Sequence, residues 1–331
     1  MVCDVPKPDV GPGQILVKMG GAGLCSSDLH LLHQDFGLPC PFTFGHENAG
    51  WVSDLGAGVT GFKEGDAVAV YICWGCGRCH NCQQSAENYC ETAGLGDMGG
   101  IGQDGGMAEY MLVPTSRLLV PLGDLQPRKA APLNDAALTP YHAIKRVLPY
   151  LHADATAVIL GIGGLGHMAV QLMRILAPVR IIAGDVDSIK LAHARELGAD
   201  YAVNTRDADS AAEEIRKITG GRGVDVVLDC AGVQPTFDLA PRILKANSQW
   251  MVVGLGGGVH KYEHGSLPYG VSLTLPFGGT RLELMEVIAM ARDGRIHVDT
   301  TEFPLEAAAD AFAKLEAGQI KGRAVFNPEL V

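Results

Sequence analysis

Beyond about residue 135 the chain alternates short apolar runs with amphipathic segments. The runs at 157–160, 180–183, 224–228 and 250–253 are dominated by Val, Ile, Leu, Met and Ala, and segments with a helical period fill the intervals at 164–176, 188–197 and 210–219. Continuous apolar strands joined by helical crossovers are the signature of a parallel sheet covered on both faces. In the first of these helices His167, Gln171 and Arg174 fall at i, i+4 and i+7, which predicts a polar stripe opposite Ala169, Val170, Leu172, Met173 and Leu176. Gly198 and the Gly220–Gly221 pair end the next two. Two further helices are expected at 281–292 and 305–316. Before residue 125 the pattern is different. Glycine and proline are frequent, strand-like runs at 15–18 and 67–71 are short, and no helical period repeats, so an irregular β domain is expected there.

A chain of 331 residues exceeds the usual size of one hydrophobic core, which adds a two-domain expectation to this contrast. The 43 glycines suit tight turns and close backbone approach to a ligand. The net charge of −11, with no basic run, argues against a nucleic-acid partner. No apolar stretch is long enough to span a bilayer and the first residues lack a secretory pattern, so the expectation is a cytoplasmic protein, no membrane partner and reduced cysteines.

Four of the nine cysteines, Cys76, Cys79, Cys82 and Cys90, stand at spacings of three, three and eight. Tetrahedral Zn²⁺ takes four thiolates, and Gly75 and Gly77 let the chain wrap tightly enough to bring them to one point. Such a closed site stabilises a loop and offers no position to a substrate. A disulfide pair is the alternative, disfavoured by the odd cysteine count. Farther along, Gly161, Gly163 and Gly166 in Gly161-Ile162-Gly163-Gly164-Leu165-Gly166 follow an apolar run, open a helix and precede Asp185 at the distance of a dinucleotide-binding fingerprint. Unpaired N–H groups at a helix N-terminus favour a pyrophosphate. Asp185 can accept both ribose hydroxyls of NAD but repels a 2′-phosphate, so NAD is expected over NADP.

These motifs, with Gly23-Leu24-Cys25-Ser26-Ser27-Asp28-Leu29-His30 and Gly45-His46-Glu47-Asn48-Ala49-Gly50 ahead of them, resemble the zinc-dependent medium-chain alcohol dehydrogenase family over nearly the whole chain. The likeness is closest to bacterial NAD-dependent secondary-alcohol dehydrogenases with one carboxylate on the catalytic zinc. It implies an α/β fold: a GroES-like irregular β catalytic domain built from 1–135 and 278–331, with a structural zinc lobe at about 73–92, and a Rossmann-type doubly wound parallel sheet at 136–277. Against the family pattern Met1 falls inside a segment that a first strand usually precedes, and a short native start and a truncation both stay open.

The resemblance implies two zinc ions per chain. Cys25, His46 and Asp135 would hold the catalytic one and leave its fourth position open; zinc there lowers the pKa of a bound hydroxyl by many units. Asp28 would stand behind His46 and fix its tautomer. Glu47 would lie behind the metal, either as an exchanging ligand or as the partner of an arginine. Ser27 and His30 look like a proton relay. On the cofactor side, Lys190 matches a residue near the adenosine ribose, Arg323 one that reaches the pyrophosphate, and Thr139 either one beside the nicotinamide or a helix cap. Phe42, Trp74 and Phe277 are apolar candidates for the substrate wall.

The expected activity is NAD-dependent oxidation of secondary, and some primary, alcohols to ketones or aldehydes and the reverse reduction. A polyol or amino-alcohol dehydrogenase of the same family, and a catalytically silent NAD- and zinc-binding protein, are the alternatives. The apolar, β-prone segment at 271–275 is an edge strand by family analogy, which predicts a homodimer or homotetramer.

Overall fold

The computed structural model describes residues 2–330 and divides into two compact units, one holding the chain up to Leu138 with the return from Gly278 onward, the other Thr139–Phe277. In the first unit the strands of the main sheet are β1 (Ile15–Leu24), β2 (Glu47–Leu55), β3 (Ala67–Val70), β4 (Tyr110–Val113) and β5 (Leu119–Pro121). The second unit contributes β6 (Thr156–Leu160), β7 (Arg180–Asp185), β8 (Tyr201–Asn204), β9 (Val224–Asp229), β10 (Leu244–Val252) and β11 (Ser272–Thr274). After the return come β12 (Thr300–Phe303) and β13 (Arg323–Phe326).

The first unit forms a seven-stranded sheet in the order β12-β13-β1-β2-β3-β5, with β4 also paired to β1. Its centre is β1, whose Ile15, Leu16, Val17, Met19, Ala22 and Leu24 are buried. Pairing is antiparallel except between β12 and β13. Glycines permit two close approaches that position the site: a Cβ on Gly50 would stand 2.1 Å from the Lys18 carbonyl oxygen, and one on Gly23 would stand 1.9 Å from Glu47 Oε2. The sequence showed no helix here, yet α1 (Ser26–His33) follows β1. Its single buried residue is Asp28, so it carries no apolar stripe for a period to reveal.

The second unit is a six-stranded parallel sheet in the order β8-β7-β6-β9-β10-β11. Numbered from its own first strand this is 3-2-1-4-5-6, the doubly wound dinucleotide-binding order. Its helices are α2 (Leu138–Val147), α3 (Gly166–Leu176), α4 (Ser188–Glu196), α5 (Ala208–Ile218) and α6 (Gln234–Ile243). The polar stripe expected on α3 is solvated only at Arg174: His167 and Gln171 are buried, and the helix is buried continuously through Met173. The buried polar residues are taken inside with hydrogen bonds such as His167 Nδ1 to the Gly163 carbonyl at 3.0 Å. The first unit also holds α7 (Arg281–Arg292) and α8 (Ala308–Glu316), the latter preceded by a 3₁₀ turn at Leu305–Ala307.

Candidate active site

Two groups of potential metal ligands occur among the described residues, Cys76/Cys79/Cys82/Cys90 and Cys25/His46/Asp135, each with ligand atoms within 4.8 Å of one another. In the first, Cys76 and Cys82 Sγ are 3.9 Å apart, as are Cys79 and Cys90 Sγ. A zinc tetrahedron with the usual metal–sulfur bonds has edges of about 3.8 Å, so the donors fit that ion. The amides of Cys79 and Ala93 point at Cys76 and Cys90 Sγ at 3.3 Å, and a side chain at Gly75 would press on Cys82 Sγ at 2.8 Å. Burial opposes ionisation of Cys90, but surrounding amides, first that of Cys76, hold its thiol down to about 5, whereas burial pushes Cys82 up to about 12.

The second cluster is assembled from three elements. Cys25 caps α1, with its backbone N–H donating to Asp28 Oδ2 at 2.8 Å. His46 immediately precedes β2, and Asp135 ends a 3₁₀ turn at Ala131–Asn134. Asp135 Oδ2 lies 3.4 Å from Cys25 Sγ and 3.7 Å from His46 Nε2. The opposite ring nitrogen, Nδ1, is 3.1 Å from Asp28 Oδ1, so donation to that carboxylate leaves the Nε2 lone pair facing the cluster. Burial of the metal-free ring disfavours its charged form, but Asp28, Asp135 and Cys25 together outweigh this and raise its pKa well above the ordinary histidine value. One thiolate, one carboxylate and one neutral imidazole balance a divalent ion and leave a tetrahedral position unfilled by protein. Ser27 Oγ is 3.5 Å from Cys25 Sγ, and His30 sits three residues on along α1, sharing its face.

Behind the cluster is a buried ion pair that neither motif discloses. Glu47, fully buried, accepts from Arg323 Nη2 at 2.6 Å, from Arg323 Nε at 2.9 Å and from the Ala136 amide at 3.0 Å. Arg323 Nη2 also reaches Asp135 Oδ2 at 3.1 Å. The Arg323 side chain, which the resemblance assigns to the pyrophosphate, is 3% exposed and paired here with two carboxylates. Of the two openings left for Glu47, the arginine partner is the one seen. No spacing signals it, because the partners lie 276 residues apart. Of the expected wall residues, Trp74 is half-buried, donating to the Tyr71 carbonyl at 3.0 Å, and Phe42 lies against Phe44 with ring centroids 5.2 Å apart.

In the second unit the glycine-rich turn joins β6 to α3. Gly161 has φ +83°, and a Cβ on Gly166 would stand 1.9 Å from the Gly161 carbonyl oxygen, so both must be glycine. A Cβ on Gly163 would meet nothing within 4 Å; the space above it is the cradle that a pyrophosphate needs. Gly164 and Leu165 complete the turn. Asp185 ends β7, accepting the Ile162 amide at 2.7 Å and the Asp187 amide at 3.0 Å, and each oxygen keeps a lone pair for a ribose hydroxyl. Lys190 is half-buried on α4. Thr139 is buried one residue inside α2, not at its cap.

Comparison with known proteins agrees with this geometry. Residues 11–124 match the alcohol dehydrogenase GroES-like domain and residues 164–291 the zinc-binding dehydrogenase domain. An NAD-dependent alcohol dehydrogenase from Sulfolobus acidocaldarius is 36% identical, with 98% of this chain and 95% of that protein covered. The chain belongs to the zinc-binding medium-chain dehydrogenase/reductase family. The alcohol dehydrogenase of Aeropyrum pernix shares this member's fold with a TM-score of 0.92 at 34% identity, covering 99% of this chain and 96% of its own. D-arabinose 1-dehydrogenase (NADP(+)) of Saccharolobus solfataricus is 33% identical, with 98% and 93% covered. Archaeal proteins are prominent among these relatives, so the family holds while the expected bacterial affinity does not emerge.

Proposed function

We propose that this protein is an NAD-dependent, zinc-dependent alcohol dehydrogenase interconverting secondary alcohols and ketones, with primary alcohols and aldehydes as lesser substrates. The observation that carries the reading is the Cys25/His46/Asp135 cluster, balanced for a divalent ion and open at one position. Zinc held there supplies a Lewis acid that lowers the pKa of a substrate hydroxyl or polarises a carbonyl, and NAD supplies the hydride acceptor.

The chain's own residues do the rest. Asp28 keeps the His46 ring turned so that Nε2 is the ligand atom. Arg323 braces Asp135 and neutralises Glu47, which keeps a second buried carboxylate out of the ligand set. Ser27 accepts the proton leaving the substrate oxygen, and His30 passes it toward solvent. In the other unit Gly161, Gly163 and Gly166 admit the pyrophosphate, while Asp185, with Lys190 beside it, holds the adenosine ribose. Thr139 serves the nicotinamide side. Cys76, Cys79, Cys82 and Cys90 would hold the second zinc and so close the lobe.

The same reading makes the molecule a homodimer or a homotetramer. Its support is β11, an edge strand flanked by Leu275, which is 71% exposed; light scattering returning a monomer at micromolar concentration rejects it. A polyol dehydrogenase is the second reading, favoured by the D-arabinose relative. A panel of simple secondary alcohols, primary alcohols and sugars, read with NAD and with NADP, separates the two. Faster turnover of 2-propanol than of any sugar supports the first, and turnover confined to sugars overturns it.

A further inference from the structure

Asp185 is not the only charged side chain at the ribose end of the sheet. Strand β8 runs parallel to β7 with Asn204 directly opposite Asp185, and the Thr205 amide donates to the Asp185 carbonyl at 3.0 Å. The next residue, Arg206, is therefore delivered to the carboxyl edge of the sheet beside the carboxylate, where doubly wound folds bind their ligands. It is held there. Its backbone amide donates to Asn204 Oδ1 at 2.9 Å, and its Nη2 reaches across to the Val186 carbonyl at 3.2 Å, one residue past Asp185. Asn204 Nδ2 approaches the same carbonyl at 3.5 Å. The neighbouring carboxylate, Asp207, caps α5 by accepting the Ser210 amide at 2.8 Å. Val186 and Ile189, 47% and 73% exposed, add an apolar shelf at this edge.

A guanidinium presents five donors in a fixed fork, and one contact to a carbonyl leaves most of them available to an anion. Resting on the reading that this unit binds NAD, we propose that Arg206 is a second determinant of dinucleotide choice, a cation already placed to receive the 2′-phosphate of NADP that Asp185 excludes. Selectivity for NAD is then a contest between one repelling and one attracting charge, and removal of Asp185 alone tips it, with no basic residue to be introduced.

The test is direct binding of NAD, NADP and 2′,5′-ADP to the purified protein and to Asp185→Asn, Arg206→Gln and the double variant at one ionic strength. A charge-assisted contact to phosphate is worth about tenfold or more in affinity. Arg206→Gln is expected to weaken NADP and 2′,5′-ADP about tenfold more than NAD. Asp185→Asn should strengthen NADP about tenfold, and the double variant should lose that gain. An Asp185→Asn gain that survives in the Arg206→Gln background overturns the proposal while leaving the NAD reading intact. Absence of NAD binding by the unsubstituted protein overturns both. Should Asp185→Asn fold poorly, because it accepts two backbone amides, the comparison of the unsubstituted protein with Arg206→Gln on 2′,5′-ADP decides alone: equal affinities reject the role.

Discussion

Arg323 grips Glu47 through two nitrogens, Nη2 at 2.6 Å and Nε at 2.9 Å, with both side chains buried. The Glu47 carboxylate rests on the bare α-carbon of Gly23, where any Cβ would collide with it. Burial raises the Glu47 carboxyl above its usual range, and the guanidinium is what opposes that shift. Removing one partner of such a pair leaves a buried charge uncompensated, which costs about 3 to 5 kcal/mol. Arg323→Met should therefore lower the denaturant midpoint strongly, and adding Glu47→Gln should recover much of the loss. Additive losses in the two single variants and the double would show that the pair is not coupled.

Removal of metal should act unequally on the two clusters. Cys82→Ser is expected to destabilise the fold, because three thiolates close the lobe poorly. Asp135→Ala should abolish turnover while leaving a folded protein with one zinc instead of two. Metal analysis with circular dichroism checks both, and an active preparation holding a single zinc contradicts the pair of roles.

The metal-stripped lobe should show thiols of very different reactivity. With Cys90 held down to about 5 and Cys82 pushed up to about 12, Cys90 is ionised above pH 5 and Cys82 stays protonated at neutrality. Brief alkylation of stripped protein at pH 7, read by peptide mass spectrometry, should label Cys90 ahead of Cys82. The reverse order would contradict the amide contacts described for Cys90.

The relay assignment predicts a pH-dependent defect. A positioned acid–base group contributes about 10² to 10⁴ in rate, and a terminal member that water partly replaces belongs at or below the low end. His30→Ala should slow alcohol oxidation most at the acid end of the pH–rate profile, with partial rescue by imidazole buffer. Ser27→Ala should be slower still and resist rescue. An unchanged pH profile in the His30 variant removes that residue from the proton path.

What the sequence made legible was local. The runs at 157–160, 180–183 and 224–228 coincide with β6, β7 and β9, and the 281–292 segment with α7. The four-cysteine lobe could be read because its ligands sit on one short loop. Features built across long separations could not. The first half of β10 carries no strand pattern, because Lys245 to Ser248 are polar but for one alanine, and Asn247, at φ +60°, interrupts the alternation. Cys25 and Asp135 are 110 residues apart and were legible only through their motifs' family likeness. Arg323 and Arg206 had no periodicity to betray them; only the pairing of β13 with β1 and of β8 with β7 brings their side chains to the places they occupy.

The most direct measurement is NADH formation from 2-propanol, followed by absorbance, in the zinc-replete protein and in Asp135→Ala. The account predicts turnover in the first and none in the second, which should keep its fold. Turnover undiminished in Asp135→Ala, or no NADH from any simple alcohol by the fully metallated protein, would contradict it.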